Sequence, residues 1–231
     1  MARLSPDRRH GPLPALLLGL TVFSGVVDAV SILGLGRVFV ANMTGNVVFV
    51  GFAVAGALGI SLAATLIALA GFLAGAGTGG RLVGRLRADR ARLIAVAATA
   101  ELVLVTVATI LVAAAHRPLS AGPRDIAVAL LAAACGIQNG AVRGLGVPDL
   151  TTTVLTLTLT GIAADGRTPA FPTRVAAVVT MLVGATAGAE LEVHVGITAA
   201  LVLAEAILVA VTTLAWNTPR RPGAWRAQAG H

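Results

Sequence analysis

Three acidic residues, Asp28, Glu101 and Glu205, stand within long apolar stretches of this 231-residue chain. A charged group at the centre of a lipid-embedded helix costs about 2.5–3.5 kcal/mol on insertion scales, several times what one leucine returns. Carboxyls kept at that cost are candidates for ion coupling, the role assigned here to Glu101 and Glu205. The alternative is a glutamic acid bonded to a neighbouring helix and serving packing alone.

A second group carries amides and hydroxyls. The segment Arg37-Val-Phe-Val-Ala-Asn42-Met43-Thr44-Gly45-Asn46 sets two amides, a hydroxyl and a helix-breaking glycine between apolar runs. A re-entrant helix beginning near Thr44 would turn free N–H groups and its positive end toward a solute. Asn42, Thr44 and Asn46 are therefore solute-contact candidates, the alternative being that they cap a short interfacial helix. Thr152, Thr153 and Thr156 are their counterparts in the threonine-rich stretch 151–160. A lone strand in lipid would leave its backbone unpaired, so this stretch is expected to be helical, with Thr152, Thr156 and Thr160 on one face. Most intramembrane threonines only bond a preceding carbonyl. Asp28, Gln138 and Asn139 join the solute group as paired positions of a repeat described below.

Other chemistry is poorly supported. His10, His116, His194 and His231 lie in tails or at span ends, and no zinc-protease, P-loop or dinucleotide motif occurs. Glu190, Glu192 and His194 share a short segment, but their alternation reads as a polar loop rather than a metal clasp. Cys135 is alone in an apolar helix, so no disulfide or thiolate metal site follows. No catalytic residue, metal or cofactor is assigned.

The elements that hold these groups are set by composition. Hydrophobic residues make up 57% and charged residues 12%, about half the charge of a globular domain. From Val38 to Gly80 there is no charge in 43 residues, whereas roughly 20 apolar residues span a bilayer. The expected fold is an all-α polytopic membrane bundle of about six spanning helices near Pro14 to Gly36, Ile60 to Gly80, Leu93 to Ala115, Ile126 to Leu145, Val175 to Leu191 and Gly196 to Trp216. Two pieces, Asn46 to Ala57 and Leu150 to Ala164, would reach only about 18–22 Å as helices, too short to cross comfortably. Arg3, Arg8 and Arg9 before Leu13 imitate a signal peptide, but no small-x-small cleavage pattern follows Asp28, so a retained first span is expected.

The charge of +7 comes from seventeen arginines in tails and loops, a topology signal rather than a nucleic-acid footprint. If both short pieces dip without crossing, fourteen arginines fall on one side and three (Arg37, Arg117, Arg124) on the other. If both crossed, the loop with Arg81, Arg85, Arg87, Arg90 and Arg92 would face outward, against the positive-inside rule.

An internal repeat agrees. Ala100 to Thr109 matches Ala204 to Thr213 at six of ten positions, including the glutamate. Gly25-x-x-Asp28 answers Gly136-x-x-Asn139, and Gly75-x-x-x-Gly79 answers Gly184-x-x-x-Gly188. Gly71, Gly75 and Gly79 share a face suited to close packing. With three crossings per half, the halves insert in opposite senses, a common transporter architecture. The parts are a cytoplasmic tail (1–12), a first membrane repeat (13–115), an external loop (116–125), a second repeat (126–216) and a cytoplasmic tail (217–231).

The stretches Ser24-Gly25-Val-Val-Asp28-Ala, Val40-Ala-Asn42-Met43-Thr44-Gly45-Asn46 and Cys135-Gly136-Ile-Gln138-Asn139-Gly140-Ala-Val-Arg143 resemble the YoaK-like family of bacterial membrane proteins, over about Pro14 to Trp216. The resemblance implies a multi-pass protein of the bacterial plasma membrane; the family, of unknown function, supplies no substrate or catalytic residue. The leading expectation is a secondary transporter or channel-like carrier of a small polar or anionic solute. The alternatives are an assembly or regulatory partner without transport, and an intramembrane enzyme acting on lipid through Asp28, Gln138 and Arg143. The expected partners are the bilayer and a small solute, with room for a homo-oligomer. Cysteines introduced at 81–92 should react only with membrane-permeant reagents in intact cells; labelling from outside would overturn the topology.

Overall fold

A computed structural model describes residues 10–218 except Leu58, Arg87, Arg117, Asp149, Val154 and Arg167. Arg3, Arg8, Arg9, Arg220, Arg221, Arg226 and His231 of the tails, with Asp149, Arg87, Arg117 and Arg167, lie outside the described residues. The described residues form α1 (Leu13–Gly34), α2 (Met43–Val54), α3 (Leu62–Leu86), α4 (Arg90–Ala114), α5 (Ala121–Leu145), α6 (Leu155–Ala164), α7 (Phe171–His194) and α8 (Ile197–Asn217). All but α2 and α6 are long and apolar enough to cross a membrane, giving six candidate spans. The fold is a polytopic helical bundle.

Local chemistry sets the helix ends. Asp89 caps α4, its carboxylate accepting from the Ala91 and Arg92 amides at 3.1 Å each. Gly146, left-handed at φ 60°, ends α5. Arg90 is the first residue of α4 rather than a loop residue. It is 5% exposed, and its guanidinium meets the last carbonyl of α5, Leu145, and His10 before α1. The starts of α1 and α4 and the end of α5 therefore share one end of the bundle, here the near end. Several spans outrun their expected limits: α3 continues past Gly80 to Leu86, and α7 begins at Phe171 and includes Arg174. Both additions are polar turns that extend an apolar helix beyond its hydrophobic length.

Backbone contacts between neighbouring helices fix their directions. Gly71, Gly75 and Gly79 of α3 lie against Ala129, Ala133 and Ile137 of α5, so these helices run parallel. Gly184 and Gly188 of α7 lie against Val22 and Val26 of α1, also parallel. α4 opposes α5 through the Arg90 contact, and α8 opposes α1, with Gly19 beside Val211 and Gly34 beside Ile197. Consequently α5 runs opposite to α1, α7 opposite to α3 and α8 opposite to α4. The principal contacts are α3 with α5 and α1 with α7, then α4 with α5, α4 with α8 and α8 with α1. Exchanging α1–α4 for α5–α8 turns each of these pairs into its counterpart.

Both short helices return to the end they came from. After α1 the chain turns at Gly36, dips until Val40 and Ala41 reach Asp28, then climbs through α2 to Gly59, beside Arg37. After α5 it dips until Thr152 and Thr153 reach Gln138 and Asn139, then returns through α6 to Asp165, which pairs with Arg174 on the first turn of α7 at 2.7 Å. The outer face is apolar: Val103, Val107 and Ile110 of α4 are exposed, while Glu101, Val105 and Ala108 are buried.

Glycine carries the tightest contacts. A side chain on Gly75 would run into the Ala133 carbonyl, and one on Gly184 into the Val22 carbonyl. In return Gly136 of α5 faces the Phe72 carbonyl and Ala76 amide, as Gly25 of α1 faces those of Met181 and Ala185. Such approach yields dispersion contacts that lipid cannot replace. Gly75→Val and Gly184→Val should each destabilise the protein by about 1–3 kcal/mol and lower its melting temperature in detergent by several degrees. Gly51→Val and Gly80→Val, at positions that face open space, should be much milder; equal losses at all four would refute the packing assignment.

Candidate functional site

The site is built on the seam between α1 and α5. Asp28 lies almost two turns before the end of α1 and is 6% exposed. One of its oxygens, Oδ1, accepts from the Val40 amide at 3.0 Å and the Ala41 amide at 2.8 Å. Those amides sit in a non-helical turn away from water, where an unmet N–H costs about 1–3 kcal/mol. Asn46, on the first turn of α2 and fully buried, completes the latch. Its Oδ1 accepts from the Phe39 amide at 2.9 Å and its Nδ2 donates to the Phe39 carbonyl at 2.6 Å, occupying both backbone groups of one residue. Phe39 stacks on Phe49 at 5.7 Å, and the bare Gly45 makes room for its ring.

The second turn is held by amides and hydroxyls. Gln138 Nε2 donates to Ser24 Oγ at 3.0 Å and to Thr152 Oγ1 at 2.8 Å, so it ties α1, α5 and the dipping turn together. Thr153 Oγ1 donates to Asn139 Oδ1 at 2.6 Å, while Asn139 Nδ2 donates to the Cys135 carbonyl at 2.9 Å. Thr152 holds φ 60°, which a non-glycine residue takes only under outside constraint. Ser24 and Asp28 are one turn apart on α1, so the two dipping turns reach the same seam at neighbouring heights.

The solute-contact candidates thus divide. Asp28, Gln138, Asn139, Thr152 and Thr153 converge, and Asn46 holds the first turn from its far side. Thr44 and Thr156 are exposed on α2 and α6 and do not join them. Asn42 is half-buried and makes no side-chain cap. The expected helical face of Thr152, Thr156 and Thr160 is not formed, because α6 starts only at Leu155 and the earlier threonines form the turn. Gly146 supplies the glycine break before the second turn, and Gly161 lies inside α6 under the Arg174 guanidinium. Ser24 was not expected at the site, although its position four residues before Asp28 places it on the same helix face.

Glu101 lies at the middle of α4 and is 1% exposed, and neither carboxyl oxygen has a protein partner among the described residues. The Oε1 of Gln138 is likewise buried and unmatched. The registers of α4 against α5 and α5 against α1 set Glu101, Cys135 and Asp28 within about one helical turn of the same height. Glu205 is only half-buried, although its Oε1 is enclosed and unpartnered. Arg143 is exposed, so the cluster of Asp28, Gln138 and Arg143 expected of a lipid enzyme does not form. His194 and Glu190 meet at 3.2 Å on the surface, and no metal-sized group of three ligands occurs among the described residues.

Two cavities open at opposite ends of the bundle. One of about 320 Å³ lies at the near end between α4 and α8, lined by Asp89, Ala91, Arg92, Ala95, Ala215, Trp216 and Thr218. The other, of about 370 Å³, is lined by Gly36, Arg37, Gly59, Ile60, Ser61 and Arg124. Neither has Asp28, Glu101 or Gln138 in its lining.

The chain is 33% identical over 150 residues to the UPF0700 transmembrane protein YoaK of Bacillus subtilis (strain 168), a match covering 65% of each protein. It thus spans just under two thirds of that relative's length. No solved structure matches it. The family described as "Protein of unknown function (DUF1275)" matches residues 16–214, from the first turn of α1 to the last of α8. With its six long apolar helices and that match, the chain belongs to the DUF1275 family of membrane-spanning proteins.

Proposed function

We propose that this protein is a secondary transporter or channel-like carrier of a small polar or anionic solute in the bacterial plasma membrane, with both termini and the near end cytoplasmic. The observation that carries this reading is the Glu101 carboxyl, enclosed at mid-helix with no protein partner, at the height of Asp28. A group so placed adds nothing to stability as it stands and suits an ion that arrives and leaves. Support also comes from the opposed directions of corresponding helices in the two halves, as an inverted repeat would have, and from the two dipping turns between them. In this reading the halves rock about the glycine contacts while the latches keep each turn on its own half. The basic near end, with Arg81, Arg85, Arg90 and Arg92, agrees with a cytoplasmic placement.

A second reading has its own observation. The seam is closed, and its amides and hydroxyls bind one another, as expected of a membrane-embedded assembly or regulatory partner without transport. A stoichiometric partner on purification, with no flux of any solute, would favour it.

Glu101→Gln in proteoliposomes should abolish ion-coupled uptake while leaving the folded protein intact, and Glu205→Gln should weaken it. Unchanged uptake in both would remove the coupling role. Asp28→Ala behaves differently, since it strands the Val40 and Ala41 amides. It should cost roughly 1.5–3 kcal/mol of stability and lower uptake and melting temperature together. A variant as stable as the parent would show that the latch bears no load.

A further inference from the structure

We infer that the far-end cavity is a binding site for a small oxyanion, a carboxylate or a phosphate group. Three stretches meet there: the turn after α1, the turn before α3 and the first turn of α5. Each brings chemistry suited to a negative ligand. Arg37 has no protein partner among the described residues and lies over Gly59, where an added side chain would come within 3.1 Å of Nη1. Arg124 lies over Gly36, where a side chain would come within 3.3 Å of Cδ. Both glycines are left-handed, at φ 84° and 97°, so each makes its turn and leaves room for a guanidinium in the same step.

The electrostatics favour an anion. Asp125 is the carboxylate in direct contact, and it engages Arg124 through Nε and Nη2 at 2.9 Å each. That pairing orients Arg124 and leaves its Nη1 edge; with Arg37 the local balance is one positive charge. Ser61 accepts the Ala64 amide at 3.2 Å through Oγ, which leaves its O–H to donate. The positive end of the 25-residue α3 opens on the same space. Glu192 of α7 lies beside Gly34 and is not part of the lining. The planar fork of arginine matches two oxygens of a carboxylate or phosphate, a geometry that neutral solutes do not use.

Charge placement supplies an independent argument. Three arginines fall on the side that the positive-inside bias leaves poor in them, and two of these line this one cavity. Arg37 is also two to four residues before the latched amides of Phe39, Val40 and Ala41. An oxyanion held there sits at the outer end of the turn whose inner end is bound to Asp28. Where the carrier reading holds, on which this last step rests, the solute is an oxyanion first captured from outside.

The test uses the full chain in nonionic detergent with radiolabelled inorganic phosphate, and acetate and sulfate as competitors. Saturable phosphate binding is expected, about tenfold weaker in Arg37→Gln and in Arg124→Gln and unchanged in Arg85→Gln, which removes an exposed arginine at the opposite end of the bundle. Binding that is absent for all three anions, or equal in both arginine variants and the parent, overturns the site. Nanodiscs of phosphatidylglycerol, compared with phosphatidylcholine, identify the source. Displacement of phosphate by the anionic lipid assigns a headgroup, and retention assigns a soluble oxyanion. Normal binding with no flux of any anion keeps the site and removes the carrier reading, so the two failures are separable.

Discussion

A peptide group taken out of water must find a partner, and in a lipid-facing protein the solvent supplies none. Helices meet this condition by themselves; the two turns that dip into this bundle do not. The first is completed by side chains of the helices on either side of it, and the second is held through its hydroxyls by the helix that precedes it. Asp28 receives two consecutive amides of the first turn, and Asn46 takes both backbone groups of Phe39. Gln138 and Asn139 bind the hydroxyls of the second turn. Without these side chains the chain would have to continue as helix through residues 35–42 and 146–154. Carrying α2 across the membrane would reverse α3, α4 and α5, and carrying α6 across as well would turn α7 and α8 back to their present direction. The directions of the bundle thus rest on a few polar side chains at one seam.

The same seam explains why glycine is placed where it is. α1 and α5 each receive a glycine-faced partner on one side and a dipping turn on another. Gly25 and Gly136 let α7 and α3 approach to backbone contact, and Asp28, three positions after Gly25, and Gln138 and Asn139, two and three after Gly136, face the turns. The two functions alternate along one stretch of helix, close packing and backbone completion, and leave little freedom in residue type from Ser24 to Asp28 or from Cys135 to Gly140.

Much of this was legible in the order of residues, for a physical reason in each case. Span number follows from the length of uncharged runs, and the non-crossing of the short pieces follows from arginine placement. Glu101 was legible as a buried carboxyl because its price in lipid is independent of tertiary detail. The repeat drew attention to Asp28 and Asn139 together, and both hold a dipping turn. The failures lie where a contact is made far along the chain. Thr151 to Thr153 suit a helix locally, but Gln138 and Asn139 draw two of them into a turn. Arg90 reads as loop charge until it is seen under Leu145, and nothing in the sequence marks Arg37 as a left-handed residue. Glu205, the repeat partner of Glu101, matches it in sequence and not in burial, because the halves differ in detail.

The crossed pairing of helices has a consequence for how the protein is made. α3 presents its glycine face to α5, which leaves the ribosome later, and α1 waits longer still for α7. A nascent chain that has delivered only its first four helices to the bilayer holds its most adhesive surfaces uncovered. Those surfaces are complementary to segments not yet translated, so early maturation of one half on its own is ruled out by geometry. The first half therefore acquires its packing in steps from the second, α3 and α4 when α5 arrives and α1 when α7 and α8 follow.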